Sequence, residues 1–381
     1  LWWYEWICER FGELPGAVWC VGQPEIWQIA CYYAGIFLLV FGRRYVEAWK
    51  RRGTYGEENV PGVIIHSNRF QHQIATVMIL GLLIGLLTGN FDRGSRVTFL
   101  DVGQGDGIVV ETGQGAYLFD CGSTSRKNIG EYVLKPYLKS RGICSLRGVF
   151  VSHPDEDHMN GVLELLENGE EWGITAEQLF LPAIRESERR ETFEQLLAAA
   201  EDAGIPVSYI KCGDEIRDSQ LRLLCLHPEE NTTLADANAY SECFYVEVFA
   251  KKMKQEAIDD RKANDASGGS AIGKISILLT GDVEGEGERQ LTQRLQEERG
   301  QREFRVDILK VAHHGSGYST GTEFLATASP AIAIISCGRN NSYGHPHAET
   351  LQRLEDARVP WYGTMDYGAL TVNVDSHGNR L

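Results

Sequence analysis

Positive charge is scarce in this sequence: 37 Lys and Arg stand against 53 Asp and Glu, a formal net charge of −16 over 381 residues. A broad non-specific nucleic-acid surface shows itself as a basic excess, so any nucleic acid handled here must be gripped locally, by a small patch or by metal ions. The nine cysteines include no C-x-x-C pair. That excludes a zinc ribbon and a dense disulfide scaffold, and the odd count leaves at least one thiol unpaired. No cleavable signal peptide is visible, because the first residues lack a basic stretch followed by an apolar one. What is present, 43% hydrophobic and 24% charged residues, is the composition of a globular protein and rules out wholesale disorder.

The charge is unevenly spread. Residues 1–90 hold seven basic and seven acidic residues, whereas residues 91–381 hold 30 and 46, which divides the chain into a membrane segment (1–90) and a soluble domain (91–381). Two runs in the first part, IWQIACYYAGIFLLVF from Ile26 to Phe41 and IATVMILGLLIGLL from Ile74 to Leu87, are expected to form two transmembrane helices. Each falls a few residues short of the roughly 18 to 20 of a full span unless its flanks are counted, and buried core helices are the alternative. Arg43, Arg44, Lys50, Arg51 and Arg52 follow the first run, so the intervening loop is expected on the cytoplasmic side and the soluble domain on the far side of the membrane. The start at Leu1, without Met, reads as part of a longer protein, or as a processed one.

After residue 94, Val/Ile/Phe-rich runs recur and end in Gly, Asp, His or Pro: VTFLDV at 97, AYLFDCG at 116, GVFVSH at 148, KISILLTGD at 274, VDILKVAHHG at 306 and AIAIISCG at 331. They read as buried strands. Helical stretches such as NGVLELLEN, ETFEQLLAAAEDAG and GEGERQLTQRLQEE separate several of them, which gives an α/β layered domain. The polar, Gly/Ser-containing stretch 250–274 reads as a long mobile loop between two strands.

Polar residues collect where strands stop. GVFVS runs into His153, Asp155, Asp157 and His158; ISILLTG runs into Asp282; ILKVA runs into His313 and His314; AIAIISCGRNNSYG runs into His345. Imidazoles and carboxylates converging on one edge of a sheet are what a divalent metal site requires, and this many suit two ions sharing a bridging carboxylate.

SHPDEDHMNG at 152, LLTGD at 278, KVAHHGS at 310 and YGHP at 343 resemble, in that order, the metallo-β-lactamase superfamily. LDVGQGD at 100, FDCG at 119 and the H-x-D-x-D-H form of the motif resemble more closely the C-terminal domain of the ComEC family of competence proteins, and LPGAVWCVGQP at 14 resembles the end of that family's membrane competence region. The resemblance implies a four-layer αββα fold. It implies that His153 and Asp155 bind one metal with His314, that Asp157 and His158 bind the second with His345, and that Asp282 bridges the two. Asp155 stands where the superfamily commonly has His, which enriches the site in oxygen and favours Zn²⁺ or Mn²⁺. Asp120 is expected to orient a ligand imidazole or a bound water.

His313 would pack or contact substrate while His314 ligates. Ser316 would donate to a phosphate oxygen, and Asn238 and Ser241 would line the site or form a turn. Asp101 and Asp106, in a tight glycine-rich turn, have a structural role as their alternative. His227 is expected to be a polar turn residue, His347 and His377 to be uninvolved, and Cys121 to be an apolar buried thiol. The implied reaction is metal-assisted phosphodiester hydrolysis, with Asp157, Asp282 and Asp120 in the catalytic machinery and two ions activating a shared water. The implied partners are DNA, the membrane, and the competence channel with its DNA-uptake machinery. The rival expectations are another hydrolase of the same fold, a phosphocholine esterase or a lactonase, and a non-catalytic DNA-docking module.

Overall fold

The computed structural model describes residues 2–12, 20–53, 69–88, 94–185, 189–230, 234, 238–250, 273–301, 304–375 and 378–380. The chain divides into two compact units, residues 1–91 with 139–142 and the remainder.

The first unit holds α1 (Trp2–Gly12), α2 (Ile26–Gly53) and α3 (Arg69–Thr88). α2 packs on α3 closely at Gly35, where an added Cβ would lie 2.6 Å from Leu83 Cδ2, and the buried Gln28 donates through Nε2 to Leu86 O at 2.6 Å. Trp27, Tyr33, Phe37, Leu38, Val77, Met78 and Leu82 remain exposed. The two expected membrane runs lie within α2 and α3. Among the described residues, however, no helix is long and apolar enough to cross a membrane.

The second unit contains two sheets. Strands β1 (Ser95–Phe99), β2 (Gly107–Thr112), β3 (Gly115–Cys121), β4 (Ser145–Phe150), β5 (Thr175–Ala176), β6 (Leu179–Pro182) and β7 (Val207–Ile210) form most of the first. The second runs through β8 (Glu215–Arg217), β9 (Leu221–His227), β10 (Cys243–Phe249), β11 (Lys274–Leu279), β12 (Ile308–Lys310), β13 (Ile332–Ile335) and β14 (Trp361–Gly363). The chain then returns to the first sheet, where β15 (Leu370–Asp375) pairs antiparallel with β1 and β16 (Gly378–Arg380) extends the edge. Residues 251–272, which contain most of the expected mobile loop, lie outside the described residues; β10 and β11 on either side pair antiparallel.

Three apolar cores order these sheets into layers. Alternate residues of one strand feed two of them: Tyr117 and Phe119 of β3 face the other sheet, while Leu118 faces the helices α4 (Lys135–Arg141), α5 (Glu156–Trp172) and α6 (Glu191–Asp202). On the far side Leu278 and Leu309 pack under α7 (Gly285–Gln301) and α8 (Thr322–Ala328), while Ile277 and Ile308 face inward. Strands apolar on both faces are buried on both faces, so the order is helix, sheet, sheet, helix. Between the sheets the rings of Phe119, Phe150 and Phe180 stack at 4.6 and 4.5 Å, with Phe244 edge-on to Phe119 and Phe150.

His227 corrects one expectation. It is not an exposed turn residue but the buried end of β9, donating from Nε2 to Ala239 O at 2.7 Å. Burial pushes its pKa from the ordinary 6.5 down to about 4. A folded-state pKa below the unfolded one means that the unfolded chain takes up the proton first. The stabilising contribution is complete above pH 6.5 and is lost as pH falls toward 4. His227→Gln is therefore expected to remove up to about 1.4 kcal/mol per pH unit of the acid sensitivity in that window, read as the difference in urea midpoints between wild type and variant across pH.

Candidate metal centre

The first cluster forms where β4 meets α5. The chain leaves Phe150, passes Val151, Ser152 and His153, and enters α5 through Asp155 at the N-cap, whose carboxylate makes no cap hydrogen bond. It lies instead 3.8 Å from His153 Nε2 and accepts from Arg190 at 3.0 Å. Asp157 in the first turn sits where the helix dipole favours an anion, and its Oδ2 lies 3.4 Å from His314 Nε2. Burial works against its ionisation, but His314 and His158 hold its carboxyl below the usual range.

Two glycines make this packing possible. A Cβ on Gly105, at φ +152°, would collide with Gly122 O and lie 2.6 Å from Asp157 O; one on Gly122 would collide with the His158 amide nitrogen. The glycines of LDVGQGD and FDCG thus let three backbone segments meet beneath the ligand loop.

Each central imidazole is held from behind. His158 is fully buried, and its Nδ1 donates to Asp120 Oδ2 at 3.0 Å, while Asp120 also accepts from the Ser152 amide at 2.7 Å and the Ser152 hydroxyl at 2.8 Å. His314 donates from Nδ1 to Ser336 O at 2.8 Å. Both Nε2 atoms therefore point forward, His158 at 3.2 Å from Asp282 Oδ1 and His314 at 3.4 Å from Asp282 Oδ2. Asp282 follows β11 after Gly281 at φ +48° and is fixed by its own amide donating to Ser241 Oγ at 3.1 Å. Burial opposes its ionisation, and His314, His158 and Lys310 hold it well below the usual carboxylate range. Burial likewise drives His153 far below its ordinary value, into the neutral form that ligates.

The sequence reading passed over Lys310. It is 1% exposed, pairs with Asp106 Oδ2, donates to Gly281 O at 2.9 Å and stands 3.6 Å from Asp282 Oδ1. Its signal was a charged residue inside the otherwise apolar ILKVA. Asp106, His158, Asp282 and His314 offer ligand atoms within 4.8 Å of one another. Asp106 nevertheless lies 3.7 Å from Nδ1 of His158 and 3.8 Å from Nδ1 of His314, behind both rings, and is neutralised by Lys310. It therefore meets both rings from the Nδ1 side.

The remaining expected residues fall as follows. His153 Nδ1 lies 3.2 Å from both Ser152 Oγ and Ser241 Oγ, and Ser241 is buried. His313 pairs with Glu284 at 2.9 Å and is 3.7 Å from Asp282 Oδ2. His345 is half-buried on its loop, with its ring centroid 5.5 Å from that of His313, and Gln104 Nε2 donates to its Nδ1 at 3.3 Å. Ser316 is buried, its Oγ accepting from the Tyr318 amide at 3.3 Å. Asn238 begins a short 3₁₀ turn and its carbonyl accepts from the Ser241 amide at 3.0 Å. His377 lies outside the described residues. Cys121 is buried, free, and raised by burial to a non-reactive pKa.

The sequence model of the metallo-beta-lactamase superfamily matches residues 100–208. ComE operon protein 3 of Bacillus subtilis is 31% identical over 311 residues, 77% of this chain and 35% of its own length. The chain belongs to the ComEC family. Recombination protein 2 of Haemophilus influenzae is 28% identical over 89% of this chain and 38% of its own length, and competence protein ComA of Neisseria gonorrhoeae 25% over 75% and 33%. The ComEC-like chain thus spans about a third of the length of these relatives.

Asp120 is the outer partner whose removal is most informative, because its carboxylate makes the shortest contact with Nδ1 of His158, at 3.0 Å, with Ser152 Oγ at 3.3 Å. Asp120→Ala is expected to weaken Zn²⁺ affinity about 10- to 100-fold, measured by competition with a chromophoric chelator.

Proposed function

We propose that this ComEC-like domain is a metal-dependent phosphodiesterase that cleaves DNA during its uptake. The supporting observation is the trio of His158 Nε2, His314 Nε2 and Asp282 Oδ1. These atoms are buried, converge on one another, and make no hydrogen bond. Unsatisfied buried donor atoms on this scale are rare unless a ligand completes them, and two imidazole nitrogens with a carboxylate are the donor set of a first-row divalent ion. His153, Asp155 and His314 would hold one ion, Asp157, His158 and His345 a second, with Asp282 between them; the oxygen-rich set suits Zn²⁺ or Mn²⁺. When bound, such ions supply a nucleophilic water near neutral pH and charge neutralisation on phosphate oxygens.

The chain's own residues prepare that chemistry. Asp120 keeps a proton on Nδ1 of His158, and Ser336 O does the same for His314, so Nε2 is the donor atom on each ring. Ser241 fixes both Asp282 and His153. Asp157 and Asp282 stay ionised, and His313, paired with Glu284, stands at the more accessible side where substrate would arrive.

DNA as the substrate follows from the kinship with competence and recombination proteins. We place α2 and α3 in the membrane and the second unit on its outer face; the exposed apolar residues of that helix pair and the basic residues between the two runs favour this. The test uses the full chain, stripped of metal and reconstituted with Zn²⁺ or Mn²⁺, on end-labelled single- and double-stranded DNA. Metal-dependent shortening is expected; intact DNA with two ions bound per chain would overturn the assignment.

A further inference from the structure

We propose that Tyr318 and Tyr343 form a stacking platform that holds the bases of an unpaired nucleic-acid strand beside the metal centre, an inference that rests on reading the centre as a DNA phosphodiesterase. Tyr318 is 85% exposed and Tyr343 53% exposed. Single exposed aromatics are ordinary, but these two stand on the loops that carry His313–His314 and His345. One residue ties the loops together: His347 Nδ1 accepts from the Gly317 amide at 2.8 Å, and its Nε2 donates to Tyr343 O at 3.1 Å.

The ring of Tyr343 is also oriented in advance. It stacks on His345 with centroids 5.7 Å apart and planes 24° from parallel. Asn341 fixes the same loop, its Oδ1 accepting from the amides of Tyr343 at 3.1 Å and His345 at 3.0 Å. Rings held in place lose little freedom when a flat partner lands on them.

Charge points the same way. Acidic residues outnumber basic ones by 53 to 37, and two of the arginines near the centre are already engaged, Arg190 with Asp155 and Arg126 with Asp101. Ionic attraction along a phosphate backbone is therefore limited, and contacts to the bases must add to the affinity. Stacking on aromatic side chains supplies it regardless of sequence. Only an unpaired base offers a free π-face, so the platform selects single strands or frayed ends over intact duplex.

The experiment measures binding by the full chain in chelator, where no cleavage occurs. Fluorescence anisotropy compares a thymidine strand of about 12 nucleotides with an abasic strand of the same phosphate count and with a blunt duplex. Wild type is expected to prefer the thymidine strand over the abasic one by about tenfold or more. The Tyr318→Ala/Tyr343→Ala double variant should bind the two alike, and the corresponding double Phe variant should recover the preference. Equal binding of both strands by wild type, or a preference that survives in the double Ala variant, overturns the proposal. Cleavage by the metal-loaded chain is scored separately. No cleavage with the base preference intact defeats the phosphodiesterase reading, and cleavage without base preference defeats the platform.

Discussion

Asp282→Asn is expected to lower metal-dependent DNA cleavage by more than about 100-fold, beyond the range for an outer partner such as Asp120. The carboxylate is the only group within 3.4 Å of both His158 Nε2 and His314 Nε2 among the described side chains. An amide retains the volume and one oxygen but loses the charge. The variant should also retain fewer ions after dialysis, counted by elemental analysis. A variant that keeps wild-type metal content and cleavage would remove Asp282 from the bridging role. Circular dichroism at the same concentration checks that the fold persists.

Lys310→Met is expected to cost about 3–5 kcal/mol of stability. Lys310 and Asp106 are each 1% exposed, so removing the ammonium strands a carboxylate where water cannot reach it. That penalty belongs to the orphaned charge and not to the contact alone. The double variant Asp106→Asn/Lys310→Met should therefore recover much of the loss, because it leaves no buried charge at either position. Urea unfolding of the four proteins in metal-free buffer measures the cycle. Equal destabilisation of the single and double variants would mean that Lys310 acts through packing and not through its pairing with Asp106.

How far the sequence disclosed this arrangement depended on the kind of interaction. Strands such as KISILL and VTFLDV were legible because burial on both faces leaves a continuous apolar run, and the ligand clusters stood out because they interrupt such runs. The helices NGVLELLEN and ETFEQLLAAAEDAG carried the longer period and fall within α5 and α6. The Lys310–Asp106 pair was not legible: its members are 204 positions apart, and neither local pattern announces the other. Gln104 was hidden for the same reason, since its contact with His345 joins residues 241 positions apart. The orientation of each imidazole was equally out of reach, because it depends on whether Asp120 or Ser336 stands behind the ring. In the first ninety residues apolar content suggested two helices, and both runs fall within α2 and α3.

The return of β15 to the edge of the first sheet also sets a schedule. Ser95 pairs with Val374 and Phe99 with Leu370, so β1, among the first strands of the domain to be synthesised, waits for nearly the last. During that interval one of its edges is an open template for any other extended segment, and long-range pairing of this kind is slow to form. His314, Asp282 and His345 are likewise translated well after His153 and Asp157. A nascent chain cannot assemble the cluster of His158, Asp282 and His314 before His314 has been made.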